Sequence, residues 1–169
     1  MCIKKLLQMF SSLLIATLLG AAFIAPAYAL DGKTYAGSSC VRWSGPTPVY
    51  SWGRIGNPST TTDLYLDCPV VKDAIGNNFD SNWMRVVDIN SADSVRCRLY
   101  SVYRSGGTIW YWAGATLSTG NAYFGSNEVQ ISSGANVGAN SVSHSYFSCK
   151  IPNQQIGRSY ISSVHAVEF

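Results

Sequence analysis

Val95-Arg96-Cys97-Arg98-Leu99-Tyr100-Ser101-Val102-Tyr103 alternates with a period of two. Val95, Cys97 and Leu99 point one way, and Arg96, Arg98 and Tyr100 the other. That alternation marks a strand with one face buried and one in water. The run Ser105-Gly106-Gly107 follows, made of residues that serve turns, and Thr108–Trp112 then alternates again. There Trp110 and Trp112 share one face, and Ile109 and Tyr111 the other.

The same period recurs along the chain. In Thr62–Cys68, Leu64, Leu66 and Cys68 lie opposite Asp63, Tyr65 and Asp67. Asn127–Ser132 and Ser143–Ile151 alternate too, and Arg158–Phe169 is rich in β-branched and aromatic residues. Turn clusters stand between these runs: Gly45–Pro48, Gly56–Ser59, Gly76–Asn78, Asn90–Asp93, Ser118–Asn121 and Ser133–Asn136. Gly supplies positive φ there, and Asn, Asp and Ser bond their own backbone. No stretch beyond the leader keeps a helical period, and only Val70–Ala74 reads as a short helical turn. About eight to ten strands follow from this spacing. The expected fold is all-β: an antiparallel β-sandwich with jelly-roll-like character. An eight-stranded outer-membrane barrel ending in Phe169 is the competing β reading. It needs an unbroken apolar band facing lipid. Short Gly-rich strands and the cysteine pattern point away from it.

The first 29 residues read as a secretory signal peptide. Lys4 and Lys5 precede a mainly apolar stretch from Leu6 to Ile24, and Ala27-Tyr28-Ala29 supplies small residues at a cleavage site. A retained membrane anchor is the alternative; Gln8, Ser11, Ser12 and Pro26 weaken it. Removing residues 1–29 from 169 leaves 140 residues, 30–169, expected to form one β-sandwich domain with no stable membrane insertion after cleavage. Such a chain buries about 68% of its unfolded surface. The expected location is secreted or periplasmic.

Charge narrows the partners. Twelve Lys and Arg against nine Asp and Glu give +3, and losing Lys4 and Lys5 leaves +1. That balance is not basic enough to suggest nucleic acid, and no nucleic-acid partner is expected. With 12% charged and 12% aromatic residues the chain is not disordered.

Five cysteines are present, and Cys2 leaves with the leader. Cys40, Cys68, Cys97 and Cys149 remain, an even count in an exported chain, which reads as two disulfides. Three pairings are open. Cys40–Cys68 with Cys97–Cys149 is preferred, because the first closes the N-terminal segment onto an early strand and the second joins two long strands. A four-thiolate metal site is disfavoured, since no Cys-x-x-Cys occurs.

Recognisable catalytic motifs are missing. There is no Gly-x-Ser-x-Gly and no His-Glu-x-x-His, and the two histidines, His144 and His165, lie in strand-like runs. Asp63 and Asp67 are about 13 Å apart on one strand face, too far for a glycosidase pair. No catalytic residue and no cofactor is expected. Asp88, Asn90 and Asp93 offer oxygens that a Ca²⁺ ion accepts, yet the same residues make an ordinary turn between two apolar strands. Trp110 and Trp112, about 6.6 Å apart on one strand face, are the candidate ligand-binding residues. Indole faces suit the C–H faces of sugar rings. Their alternative role is core filling. Arg96 and Arg98 with Tyr100 make a basic stripe that also suits a solvated strand face.

Four segments resemble a group of small exported bacterial proteins with four cysteines: Tyr35–Cys40, Leu66–Val71, Val95–Leu99 and Ser148–Pro152. The resemblance implies a disulfide-stapled β domain and brings no activity, substrate or site residue with it. The expected function is a secreted non-catalytic binding module for a glycan or cell-surface polymer. The alternatives are a structural or protein-interaction component of the envelope or extracellular matrix, partnered by a cell-surface protein, and a small secreted hydrolase.

Overall fold

A computed structural model of the chain describes residues 31–72, 78–120, 127–133, 137–138, 143–155 and 157–168. The expected leader, and the expected helical turn from residue 73 onward, lie outside the described residues.

Eleven strands appear in chain order: β1 (Asp31–Ala36), β2 (Val41–Ser44), β3 (Val49–Ser51), β4 (Arg54–Gly56), β5 (Leu64–Val70), β6 (Phe79–Val87), β7 (Arg96–Ser105), β8 (Thr108–Ser118), β9 (Glu128–Ser133), β10 (His144–Ile151) and β11 (Tyr160–Glu168). A 3-10 turn, Gly37–Ser39, joins β1 to β2. One sheet runs β3-β4-β11-β6-β9, with β1 also on β11; the other runs β2-β5-β10-β7-β8. Every pairing is antiparallel. The protein is therefore an antiparallel β-sandwich, built as the alternation demands. On β5, Leu64, Leu66, Cys68 and Val70 are buried; on β10, Phe147, Cys149 and Ile151; on β7, Cys97 and Leu99. From the other sheet Ile55, Phe79, Met84, Val86, Ile161, Val164 and Ala166 join the same core.

Both disulfides form as preferred, Cys40–Cys68 and Cys97–Cys149. Cys97 and Cys149 are direct cross-strand partners on β7 and β10, and Cys40 precedes β2, which pairs with β5. Each bridge thus staples neighbouring strands within the five-stranded sheet. The apolar core joins one sheet to the other, with polar contacts such as Asn57 Nδ2 to the Ile151 carbonyl at 3.1 Å crossing between them.

Two hairpins are closed by residues at positive φ. Gly106 and Gly107, at φ 56° and 83°, join β7 to β8 with Ser105 paired to Thr108. Two such residues in a two-residue loop match the twist of the flanking strands. Between β3 and β4 the same positions hold Trp52 (φ 53°) and Gly53 (φ 76°), with Ser51 paired to Arg54. The turn at Trp52 carried no sequence signal, because a bulky side chain rarely adopts that conformation.

A bulge in β8 decides which way its aromatic residues face. Arg98 pairs with Thr116 but Tyr100 pairs with Ala113, so Gly114 and Ala115 together stand opposite Leu99. The extra residue inverts the alternation of β8 from that point on. Ser101, fully buried, faces Trp112 across the strands, and Tyr103 faces Trp110. Ile109 and Tyr111 turn to the outer face beside Arg104 and Val102. Gly114 allows close packing here, since a Cβ at that position would come within 2.7 Å of Val137.

Candidate functional site

Residues 104–112, the far end of the β7–β8 hairpin, are exposed on both faces. Ile109, Trp110, Tyr111 and Trp112 are 67%, 53%, 68% and 37% exposed. The alternation of Thr108–Trp112 is kept, yet neither of its faces is buried in the core.

The two faces of this hairpin differ. On the inner side Trp112 stacks on Tyr103 with centroids 5.0 Å apart and planes at 16°. Gly138 lies close enough that a Cβ there would sit 3.1 Å from the indole. Trp112 is thus held from two sides, and Trp110 is the more open of the pair. On the outer side Tyr100 stacks on Tyr146 at 5.7 Å and 21°, and meets Tyr111 at 6.4 Å and 60°. These three tyrosines, with Val102 and Ile109, line a recess of about 320 Å³. Tyr146 is directly opposite Tyr100, on β10. Burial, then the charge of Asp67, then Tyr100 push the Tyr146 hydroxyl above the usual phenol range. It therefore remains a neutral hydrogen-bonding group at ordinary pH.

Arg98 borders the recess. Its guanidinium carbon is 5.6 Å from the Tyr100 centroid, and its Nε donates to the Gly114 carbonyl at 2.7 Å. The bulge that redirects β8 also presents that carbonyl. Farther along the face, Lys150 Nζ reaches Asp63 at 3.0 Å and Asp93 at 2.5 Å. Burial opposes both charges in the Lys150–Asp93 contact. Even so, Lys150, the Ser94 N–H and Arg96 hold Asp93 below the usual carboxylate range, and the two aspartates hold Lys150 above the usual ammonium range. Asp63 and Asp93 are brought together, but with a lysine clamped between them. Neither is placed as a proton donor to a glycosidic oxygen.

The oxygens weighed for Ca²⁺ are engaged by protein donors. Asp88 Oδ1 accepts from Asn90 N–H at 3.0 Å and Ser159 Oγ at 2.9 Å; its Oδ2 accepts from Val95 N–H at 3.1 Å and from the Thr119 hydroxyl. Asn90 Oδ1 accepts the N–H groups of Ala92 and Asp93. Asp93 turns outward to Lys150 and Arg96. The three side chains therefore organise the β6–β7 connection. Among the described residues no group of three His, Cys, Asp or Glu is arranged to hold a metal.

His165 makes a second polar cluster on the opposite sheet. Its Nε2 is 3.0 Å from Ser163 Oγ, its Nδ1 is 2.5 Å from Thr34 Oγ1, and Trp83 lies flat on the ring. Burial, then the charge of Arg85, lowers its pKa to about 4. A Ser–His pair needs a base poised near the working pH. This imidazole is too weak for that role at neutrality. His144 is exposed on β10.

The tyrosine recess escaped the sequence reading. Alternation already put Tyr100 opposite Leu99, and Tyr146 opposite Phe147. That the two belong to adjacent strands depends on strand order, which alternation does not encode.

No protein-family model matches the chain, and no curated protein matches it. Among solved structures it is similar to the CBM36-1 domain of a multidomain xylanase from the hindgut metagenome of Trinervitermes trinervoides, with a TM-score of 0.49 and 13% identity over 80% of this chain and 96% of that one.

Proposed function

We propose that the protein is an exported, non-catalytic module that binds a glycan or cell-surface polymer through the far end of the β7–β8 hairpin. The observation that carries this reading is the run Ile109–Trp112, four consecutive large side chains all at least 37% exposed. A monomeric domain has no folding reason to leave two indoles and a tyrosine in water at one place. Aromatic rings offer flat faces to sugar C–H groups, and tyrosine hydroxyls and indole N–H groups serve the polar rim. Trp112, held by Tyr103, keeps its orientation without a ligand, which lowers the ordering cost of binding. Two buried disulfides suit an oxidising compartment, in line with the leader-like first 29 residues.

A polysaccharide array and pull-down with the wild type, Trp110→Ala and Tyr146→Ala tests this. At least one polymer should be retained by the wild type, and the variant on the face that carries it, Trp110→Ala for the inner or Tyr146→Ala for the outer, should weaken retention about tenfold, the scale of one lost aromatic contact. Equal retention by all three proteins, or by none, overturns the reading.

A protein-interaction role is favoured by a separate observation. Ile109 and Val102 add purely aliphatic surface to the same face, which a sugar does not need. Concentration-dependent self-association or capture of an envelope protein, lost in Ile109→Ser but retained in Tyr146→Ala, would select it.

A further inference from the structure

We propose that the outer tyrosine face takes an acidic saccharide, its rings on Tyr100, Tyr111 and Tyr146 and its anionic group on the guanidinium of Arg98. This rests on the glycan-binding reading above.

Two cations on this face are already neutralised. Arg96 meets Asp93 at 3.4 Å, and Lys150 meets Asp63 and Asp93. Among the described residues Arg98 forms no ion pair, and its one side-chain hydrogen bond goes from Nε to the Gly114 carbonyl. That bond and the Tyr100 ring orient the guanidinium plane while leaving the terminal nitrogens for a ligand. A planar, pre-oriented guanidinium with free N–H groups is the arrangement that binds a carboxylate or sulfate in a forked geometry.

Position supports the assignment. Arg98 and Tyr100 are two residues apart on the same face of β7, about 6.6 Å along the strand. A sugar ring lying on Tyr100 therefore brings its exocyclic acid group within reach of Arg98. Arg104 lies at the other end of the same row, about 20 Å from Arg98. It is exposed, opposite Ile109, and likewise without an ion pair among the described residues. An aromatic strip with a cation at each end that meets no carboxylate among the described residues fits a polymer carrying repeated negative charge better than a neutral one.

The carboxylate that could oppose this is Asp67. It lies on β5, with Ser148 of β10 between it and Arg98 in the register, about 10 Å away. Burial pushes its carboxyl up, against the pull of the Ser148 hydroxyl. Hyaluronate and polygalacturonate carry carboxylates, and dextran sulfate carries sulfate. All three present the same anionic chemistry to Arg98, and comparing them shows which group is preferred.

The test is affinity electrophoresis and calorimetry of the purified protein with these three polymers. Each is run beside a neutral counterpart: the two methyl-esterified carboxylate polymers and plain dextran. At least one charged form should bind about tenfold more tightly than its neutral partner, and added salt should narrow the gap. Arg98→Gln should remove the gap, Arg98→Lys should restore part of it, and Arg104→Gln should reduce it. Arg104 makes no side-chain hydrogen bond or ion pair among the described residues and lies away from the bulge, so its variant tests the claim even if Arg98→Gln perturbs the bulge. The inference is overturned if charged and neutral forms bind alike, if no charged polymer binds, or if folded Arg98→Gln and Arg104→Gln both keep the preference. If Tyr146→Ala weakens binding to charged and neutral forms while both arginine variants keep the full preference for the charged form, only the acidic assignment fails. If neither the tyrosine nor the arginine variants change binding, the glycan reading fails with it.

Discussion

Trp52→Asn should stabilise the protein by about 1 kcal/mol, although it deletes the largest side chain of the β3–β4 turn. Trp52 sits at φ 53° and is 97% exposed. The left-handed conformation costs an ordinary L-residue about 1–2 kcal/mol, and Asn tolerates it through local hydrogen bonds. Removing the indole forfeits almost no burial. Asn followed by Gly53 is also the preferred pair for a two-residue hairpin loop. A gain of this size raises the melting temperature by about 4 °C in a domain near 140 residues. Urea unfolding followed by far-ultraviolet circular dichroism reads it directly: the midpoint should rise with an unchanged slope. Trp52→Ala is the control. Alanine bears the same left-handed cost, so its midpoint should stay close to the wild type. A midpoint for Trp52→Asn at or below the wild type, or an equal gain in Trp52→Ala, would refute the strain argument.

Two further outcomes follow from the buried polar groups. The pKa of His165 is lowered to about 4, so the unfolded chain takes up the proton first. Its contribution to stability is complete above the unfolded pKa of 6.5 and is lost as pH falls toward 4, by up to about 3 kcal/mol. Urea midpoints at several pH values across that window should fall in the wild type and stay nearly level in His165→Phe. Asp93, held low chiefly by Lys150 against its own burial, adds a loss only at more acidic pH. Asp88→Ala leaves the N–H groups of Asn90 and Val95 and the hydroxyls of Ser159 and Thr119 without their shared acceptor. A loss of about 3 kcal/mol or more is expected in the same assay, and a loss below 1 kcal/mol would show that the network relaxes without it.

Alternation in Val95–Tyr103, Ser143–Ile151 and Thr62–Cys68 was enough to read strands and their buried faces, because the period of two is a local property of the backbone. The short strands β3 and β4 escaped because three residues carry no period. β1 escaped because Gly32 and Lys33 are weak strand formers, held in place by pairing with β11. Cysteine count and export pattern pointed to two bridges, and a preference for the observed pairing came from which segments looked like strands.

What the sequence alone determined is which side chains share a strand face: Leu99 against Tyr100, Phe147 against Tyr146, Trp110 with Trp112. Strand order and register are set by contacts between residues far apart in the chain, so only the tertiary structure decided that Tyr100, Tyr111 and Tyr146 meet. It also decided, through one extra residue at Gly114–Ala115, which side of the sheet each aromatic residue faces. A bulge adds no local signature to an alternating run. It is selected by the partner strand and by the close approach of Val137, neither of which can be read along one segment.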